Sequence, residues 1–304
     1  MSASKPEIAV DAIRSLLFVP GSNARMMARA TTSGADCLII DLEDAVAPAA
    51  RGSARAAVAA ALADADRPPT FVRVNHPSTG LMEADLDAAV CPNLFGVILP
   101  KADSPDDVAV LDAALAEREV RAGAKAGSIV ILPLIESCRG LRAGYDIARH
   151  SPRVAGLAFS SGEMGDFMAD LGGQWSPDGA AMHYPRSKMV CDGRAAGLTW
   201  LVDGVVMQLG DTAVLESECT QARRLGYQAK MAIHPAQLDV IHAVFTPSEA
   251  EIEESRNLLR AHQAAQADGT GAFRLNGVMV DQANVVRANR ILARAEAVTR
   301  GRAQ

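Results

Sequence analysis

Short apolar runs recur along the chain, and most of them end at a charged or small polar residue. Ser15 to Pro20 is the first, followed by Gly21-Ser22-Asn23, a helix N-cap signal ahead of Ala24 to Thr32. Ala35 to Ile40 empties into Asp41-Leu42-Glu43-Asp44, Phe71 to Asn75 carries Arg73 at its middle, and Phe95 to Pro100 leads to Lys101. Ile129 to Ile135 stops at Glu136, and Val154 to Phe159 opens into a Ser/Gly-rich turn that reaches Asp166. Leu201 to Val206 and Gln228 to Ile233 complete the set, the last running into His234-Pro235. Continuous apolar runs of this length read as strands buried on both faces, as in a parallel sheet.

Between the runs lie helical patterns. Ala50 to Asp64 is alanine-rich, a further helix closes over Leu86 to Cys91, and Asp103 to Glu119 is amphipathic with an Asp-Ser-Pro-Asp-Asp entry. A connection through Tyr184-Pro185 precedes a crossover helix over Ser187 to Gly197, and Asp211 to Leu225 is helical. Strands at intervals of roughly 20 to 45 residues, each followed by a helix, predict a (β/α)8 TIM barrel. A doubly wound open sheet is the alternative, but no Gly-rich phosphate fingerprint follows the first strand.

Beyond the eighth run, a helix extends from Pro247-Ser248 to about Ala267, Asp268 to Gly271 breaks it, and Ala272 to Asp281 reads as a short extended pair. A last helix covers Asn284 to Ala297. The chain of 304 residues exceeds the roughly 250 of a barrel, which predicts a TIM-barrel catalytic domain over 1–245 and a C-terminal helical extension over 246–304. That extension is too polar to add a core, so it reads as a lid over the mouth or over a neighbouring subunit.

Composition narrows the function class. A hydrophobic fraction of 49% against 22% charged provides a sizeable core. The net charge of -6, without Lys/Arg runs, argues against nucleic acid or an anionic membrane as partner. The five cysteines are odd in number and scattered, as expected of reduced thiols in a cytoplasmic protein. Met1 to Val10 lacks the apolar core of a signal peptide, and no run approaches the ~20 residues that span a bilayer.

In a barrel the carboxyl ends of the strands converge on one mouth, which collects Asp41, Glu43, Arg73, Lys101, Glu136 and Asp166. Glu136 and Asp166, delivered by neighbouring strands, suit a hard divalent cation that keeps positions open for substrate oxygens, and Mg²⁺ is the ion expected. Arg73 inside an apolar strand is costly unless paired, so it neutralises Asp41 or Glu43, faces a ligand carboxylate, or does both. Lys101 balances the acids. Asp281 is either a proton-abstracting carboxylate on a movable lid or a helix N-cap. His234 is either a base or metal ligand or a structural hydrogen-bonding group, and Cys138 is either a nucleophile or a small residue at a helix start.

The strings RSLLFVPGSN (14 to 23), DLEDAVAP (41 to 48), RVN (73 to 75), LPKA (99 to 102), LPLIES (132 to 137), GDFMADLG (165 to 172), AIHPAQ (232 to 237) and GVMVD (277 to 281) occur together and in order. This set resembles the citrate lyase β-subunit-like (HpcH/HpaI aldolase/citrate lyase) family, which includes malyl-CoA and citramalyl-CoA lyases. The resemblance implies Mg²⁺ on Glu136 and Asp166 and reversible carbon–carbon cleavage of a 3-hydroxyacyl-CoA thioester into a 2-oxo acid and acetyl-CoA. It implies that Arg73, with Lys101 beside it, holds the oxo acid, supported by Asp41 and Glu43. Asp281, from the tail of a neighbouring subunit in a trimer or hexamer, would be the acid/base at the acyl α-carbon. Related activities are a citrate lyase β subunit acting on an acyl-carrier-protein thioester and a malyl-CoA thioesterase or malate-synthase-like reaction. A barrel that only bound metabolites would lack parts of this set. In one departure, many members carry Glu-Asp at the second metal position, where this chain has Gly165-Asp166 with Glu163 upstream.

Overall fold

The computed structural model describes residues 10–267, 273–275 and 278–302. Its centre is a closed barrel of parallel strands in sequence order: β1 (Ser15–Pro20), β2 (Cys37–Asp41), β3 (Thr70–Arg73), β4 (Gly96–Leu99), β5 (Val130–Ile135), β6 (Gly156–Phe159), β7 (Trp200–Asp203) and β8 (Ala229–Ala232). β8 returns to β1 with Leu16 opposite Met231. The connections carry α1 (Ala24–Ala30), α2 (Arg51–Leu62), α3 (Met82–Ala89), α4 (Pro105–Ala122), α5 (Cys138–Arg149), α6 (Asp166–Leu171), α7 (Ala180–Ala195), α8 (Thr212–Leu225) and α9 (Leu238–Phe245). The (β/α)8 barrel expected from the sequence is the observed fold. Nearly every strand residue is buried, which is why the strands read as unbroken apolar runs.

The barrel floor is aromatic. Trp200 opens β7, lies parallel to Phe71 of β3 with ring centroids 6.2 Å apart, and donates from Nε1 to Ile13 O at 3.2 Å. Phe71 meets Phe95 edge-on at 5.3 Å. These large rings fit because neighbouring strands begin with glycine. A Cβ at Gly96 would sit 2.4 Å from the Phe71 ring, and one at Gly156 would sit 2.4 Å from Trp200 O. Outside the floor, Arg14 is tied to Asp36 at 2.6 Å, which locks the entry of β1 to that of β2.

One expectation is corrected. Tyr184-Pro185 is no connection: α7 starts at Ala180 and runs through Pro185. Proline removes an intrahelical hydrogen bond and crowds the preceding turn, so sequence favours a break there. The buried stripe Met182, Arg186, Met189 and Gly193 nevertheless continues across it, and burial of that face outweighs the local cost. Arg186, a charge at a core position, hides the period from a hydrophobicity reading.

The chain divides into two compact units, Ile13–Ala243 and a second made of Met1–Ala12 with Val244–Gln304. In the second, α10 (Glu249–Ala267) packs with α11 (Gln282–Arg302), and β9 (Phe273–Leu275) pairs antiparallel with β10 (Val278–Val280). The last helix is longer than the pattern predicts, and the Asp268 to Gly271 break lies outside the described residues. Among the described residues no helix is long and apolar enough to cross a membrane.

Candidate functional site

Arg73 ends β3 directly opposite Asp41, the last residue of β2. Register thus brings the guanidinium and the carboxylate together before any side chain is chosen. Nε donates to Asp41 Oδ1 and Nη2 to Oδ2, both at 2.7 Å, a fork on a fork. Asp41 also accepts from the backbone N–H groups of Glu43 and Ala45, each at 3.0 Å, so its oxygens are fully engaged. It positions Arg73 and has nothing left for a ligand. Nη1 lies 3.1 Å from Glu43 Oε2 and 3.6 Å from Asp44, and the guanidinium covers the Phe18 ring at 5.0 Å. Glu43 Oε2 is within ion-pair reach but off the hydrogen-bond direction, and remains buried without a hydrogen bond. Burial opposes the charge on Arg73, but the hydrogen bonds to Asp41 and the nearby acids outweigh it and hold its pKa above the ordinary value. These contacts leave one N–H on Nη2 and both on Nη1 outside hydrogen bonds, able to meet a carboxylate.

Asn75 fixes this corner. Its Nδ2 donates to Leu42 O at 3.0 Å and to Asp85 at 2.7 Å, so the chain leaving β3 is tied to the chain leaving β2.

Glu136 follows β5 and is buried. Its Oε2 accepts the Lys101 N–H at 3.0 Å. Burial pushes the Glu136 carboxyl up to about 8; Arg73 works against this, and Glu43 and Asp166 add to it. Asp166 opens α6 and is half exposed. Lys101, just past β4, reaches Glu43 at 2.8 Å, Asp166 at 3.5 Å and Asp44 at 3.7 Å through its ammonium. Burial opposes that charge as well, but the Glu43 hydrogen bond and the surrounding acids hold it above the usual lysine range.

Five carboxylates, Asp41, Glu43, Asp44, Glu136 and Asp166, therefore surround two cations, Arg73 and Lys101. Glu136 is the buried acid that these cations serve least. Among the described residues no three His, Cys, Asp or Glu side chains converge as a closed metal cage. Two neighbouring acids, one of them buried and poorly served by cations, instead fit a hard divalent ion, whose charge favours their ionised forms and which completes its shell with other oxygens. On this count Glu136 and Asp166 are able to hold Mg²⁺.

The remaining predicted residues have local work. Asp281 lies in the second unit and caps α11: Oδ1 accepts from Ala283 N at 2.9 Å, while Asn284 Oδ1 accepts from Asp281 N at 3.0 Å. His234 is exposed and accepts from Ala236 N at 3.1 Å, a turn-forming role. Cys138 is exposed at the first turn of α5, and its backbone N–H binds Asp170 at 2.7 Å. Glu163, upstream of Gly165, accepts from Gln208 at 3.1 Å.

A second charged cluster went unnoticed in the sequence. Asp203 ends β7 and pairs with Lys230 of β8 at 2.5 Å and with Arg186 of α7 at 3.0 Å, all fully buried. Arg186 also binds Glu218 of α8, and Ser161 donates to Asp203 at 2.7 Å. Burial opposes the Asp203 charge, yet Arg186 and Lys230 hold its pKa below the usual range. The signal that found Arg73 and Asp41, a cation inside an apolar strand and an acid at a strand's end, was also present at Lys230 and Asp203.

Comparison with known proteins adds to this geometry. The family described as HpcH/HpaI aldolase/citrate lyase matches residues 14–235. The chain is 34% identical over 292 residues to a (3S)-malyl-CoA thioesterase of Cereibacter sphaeroides, covering 95% of this chain and 97% of that one. It is 34% identical over 285 residues to a citrate lyase subunit beta of Haemophilus influenzae, covering 93% and 97%. Among solved structures, CitE of Mycobacterium tuberculosis in complex with magnesium, acetoacetate and coenzyme A superposes with a TM-score of 0.75 at 30% identity, over 94% of this chain and 99% of that chain.

Proposed function

The chain belongs to the HpcH/HpaI aldolase/citrate lyase family, and on that premise we propose that it is a Mg²⁺-dependent carbon–carbon lyase cleaving a malyl-CoA or citramalyl-CoA type thioester into a 2-oxo acid and acetyl-CoA. The observation that carries the reading is the pairing of surplus carboxylates with an Arg73 fork that keeps N–H groups free. Glu136 and Asp166 would hold the metal, which when bound stabilises negative charge on the oxygens of the oxo acid. Arg73, clamped by Asp41, binds the substrate carboxylate through its free N–H groups and cannot swing away. Lys101 adds positive charge beside it.

In the cleavage direction the 3-hydroxyl gives up its proton to solvent, and its carbon becomes the carbonyl of the oxo acid. The electrons of the broken bond pass to the acyl α-carbon, which takes a proton to become the acetyl thioester. Asp281 of a neighbouring copy is our candidate for that proton, as expected if the active form is a trimer or hexamer. Asp281→Asn keeps the helix cap, because asparagine caps as well as aspartate, so loss of α-proton exchange between acetyl-CoA and solvent without loss of thermal stability would support the role. Unchanged exchange would leave Asp281 as a cap alone.

A second reading follows from the thioesterase relative: hydrolysis of a malyl-CoA thioester. Purified protein incubated with malyl-CoA and with citramalyl-CoA, with Mg²⁺ and with a chelator, separates these readings when oxo acid and free CoA thiol are both measured. Metal-dependent oxo acid without thiol supports the lyase. Thiol without oxo acid supports the hydrolase, and silence on both points to a carrier-protein thioester.

A further inference from the structure

Lys101 is the one non-glycine residue with positive φ among the described residues, at 51°. A residue with a Cβ takes this left-handed conformation only when its surroundings impose it, and such positions gather at functional sites. Here the imposing contacts are visible. Lys101 N donates to Glu136 Oε2 at 3.0 Å, and Ala102 N donates to Leu134 O at 3.2 Å. The start of α5 presses on the same turn, since a Cβ at Gly140 would lie 2.3 Å from Ala102 O. The turn thus aims one residue at both proposed metal ligands, its backbone at Glu136 and its ammonium at Asp166, 3.5 Å away. An ordinary half-exposed ion pair contributes little and needs no such turn.

We propose that Lys101 is a positioning residue and standing counter-ion of the cation site: its main chain orients Glu136, and its ammonium holds Asp166 until a divalent cation displaces it. This rests on the reading of Glu136 and Asp166 as the metal pair. Glu43 and Asp44, at 2.8 and 3.7 Å, retain the ammonium once it leaves Asp166, so the displaced charge stays at the mouth. The arrangement offsets part of the acids' charge without metal and makes Lys101 a brake on metal affinity.

The test is Mg²⁺ titration calorimetry on the full chain at fixed ionic strength, without substrate. Lys101→Met removes the ammonium and keeps a Cβ; Lys101→Gly removes both. Both variants should bind Mg²⁺ at least about tenfold more tightly than the wild type, the size expected for removing one like charge at this separation, while Lys101→Arg stays near the wild type. Metal-free Lys101→Gly should melt above metal-free Lys101→Met, because glycine adopts positive φ without the Cβ clash. Equal or weaker binding by Lys101→Met would overturn the counter-ion role, and the reverse melting order would overturn the imposed turn. If the wild type binds no Mg²⁺, or Glu136→Gln binds it as the wild type does, the metal reading falls and this inference with it.

Discussion

Two groups of charges lie along this barrel's strands, and they are built differently. Around β7 and β8, two acids, Asp203 and Glu218, meet two bases, Arg186 and Lys230. The adjoining cavity, about 10 Å³, has room for a single water. Around β2 to β6, five acids meet two bases, Glu136 is pushed up to about 8, and Lys101 is held in a left-handed turn. A balanced, closed cluster holds a fold together, whereas an unbalanced, strained one is prepared for something that arrives later. The two are alike in residue type and differ only in charge balance and access.

Substitutions should separate them. The largest effect on catalysis is expected at the metal pair: Glu136→Gln and Asp166→Asn should each lower Mg²⁺-dependent turnover by roughly 10³-fold, the scale of losing a principal charge-stabilising group. Their melting temperatures should stay near the wild type, and retained turnover in either variant would remove that residue from the metal assignment. At Asp203 the pattern inverts. Asp203→Ala strands Arg186 and Lys230 in the interior and should cost about 3–5 kcal/mol in urea unfolding, because a buried ion pair broken on one side leaves an uncompensated charge. Restoration of much of that loss by adding Lys230→Met would confirm that the cluster acts as a staple, whereas intact stability in Asp203→Ala would refute it. The smallest effect belongs to Arg73→Lys, which keeps the charge but loses the fork. We expect kcat/KM to fall about 10–100-fold, mostly through KM for the oxo acid in the condensation direction, since one ammonium cannot serve Asp41 and a substrate carboxylate together. An unaltered KM would place the carboxylate elsewhere.

The amphipathic and apolar periods were legible wherever local chemistry and burial agree. The eight strands fall where the apolar runs stand, because both faces of each strand are buried and few polar residues interrupt them. α7 was misread because Pro185 signals a break and Arg186 occupies a core position, and only packing against its neighbours reverses both signals. Lys230 pairs with Asp203, 27 positions away, and Arg186 shares that carboxylate from α7, contacts that only the fold brings together.

Sequence alone determined the order of strands and helices, the residue types at each strand end and membership in the family, since these depend on local pattern and linear spacing. Tertiary structure decided which charges meet. Register sets Asp41 opposite Arg73 and Asp203 opposite Lys230, and the left-handed turn at Lys101 ties Glu136 to Asp166. Electrostatic energy depends on separation in space and on exclusion of water, and neither is written in the spacing of residues along a chain.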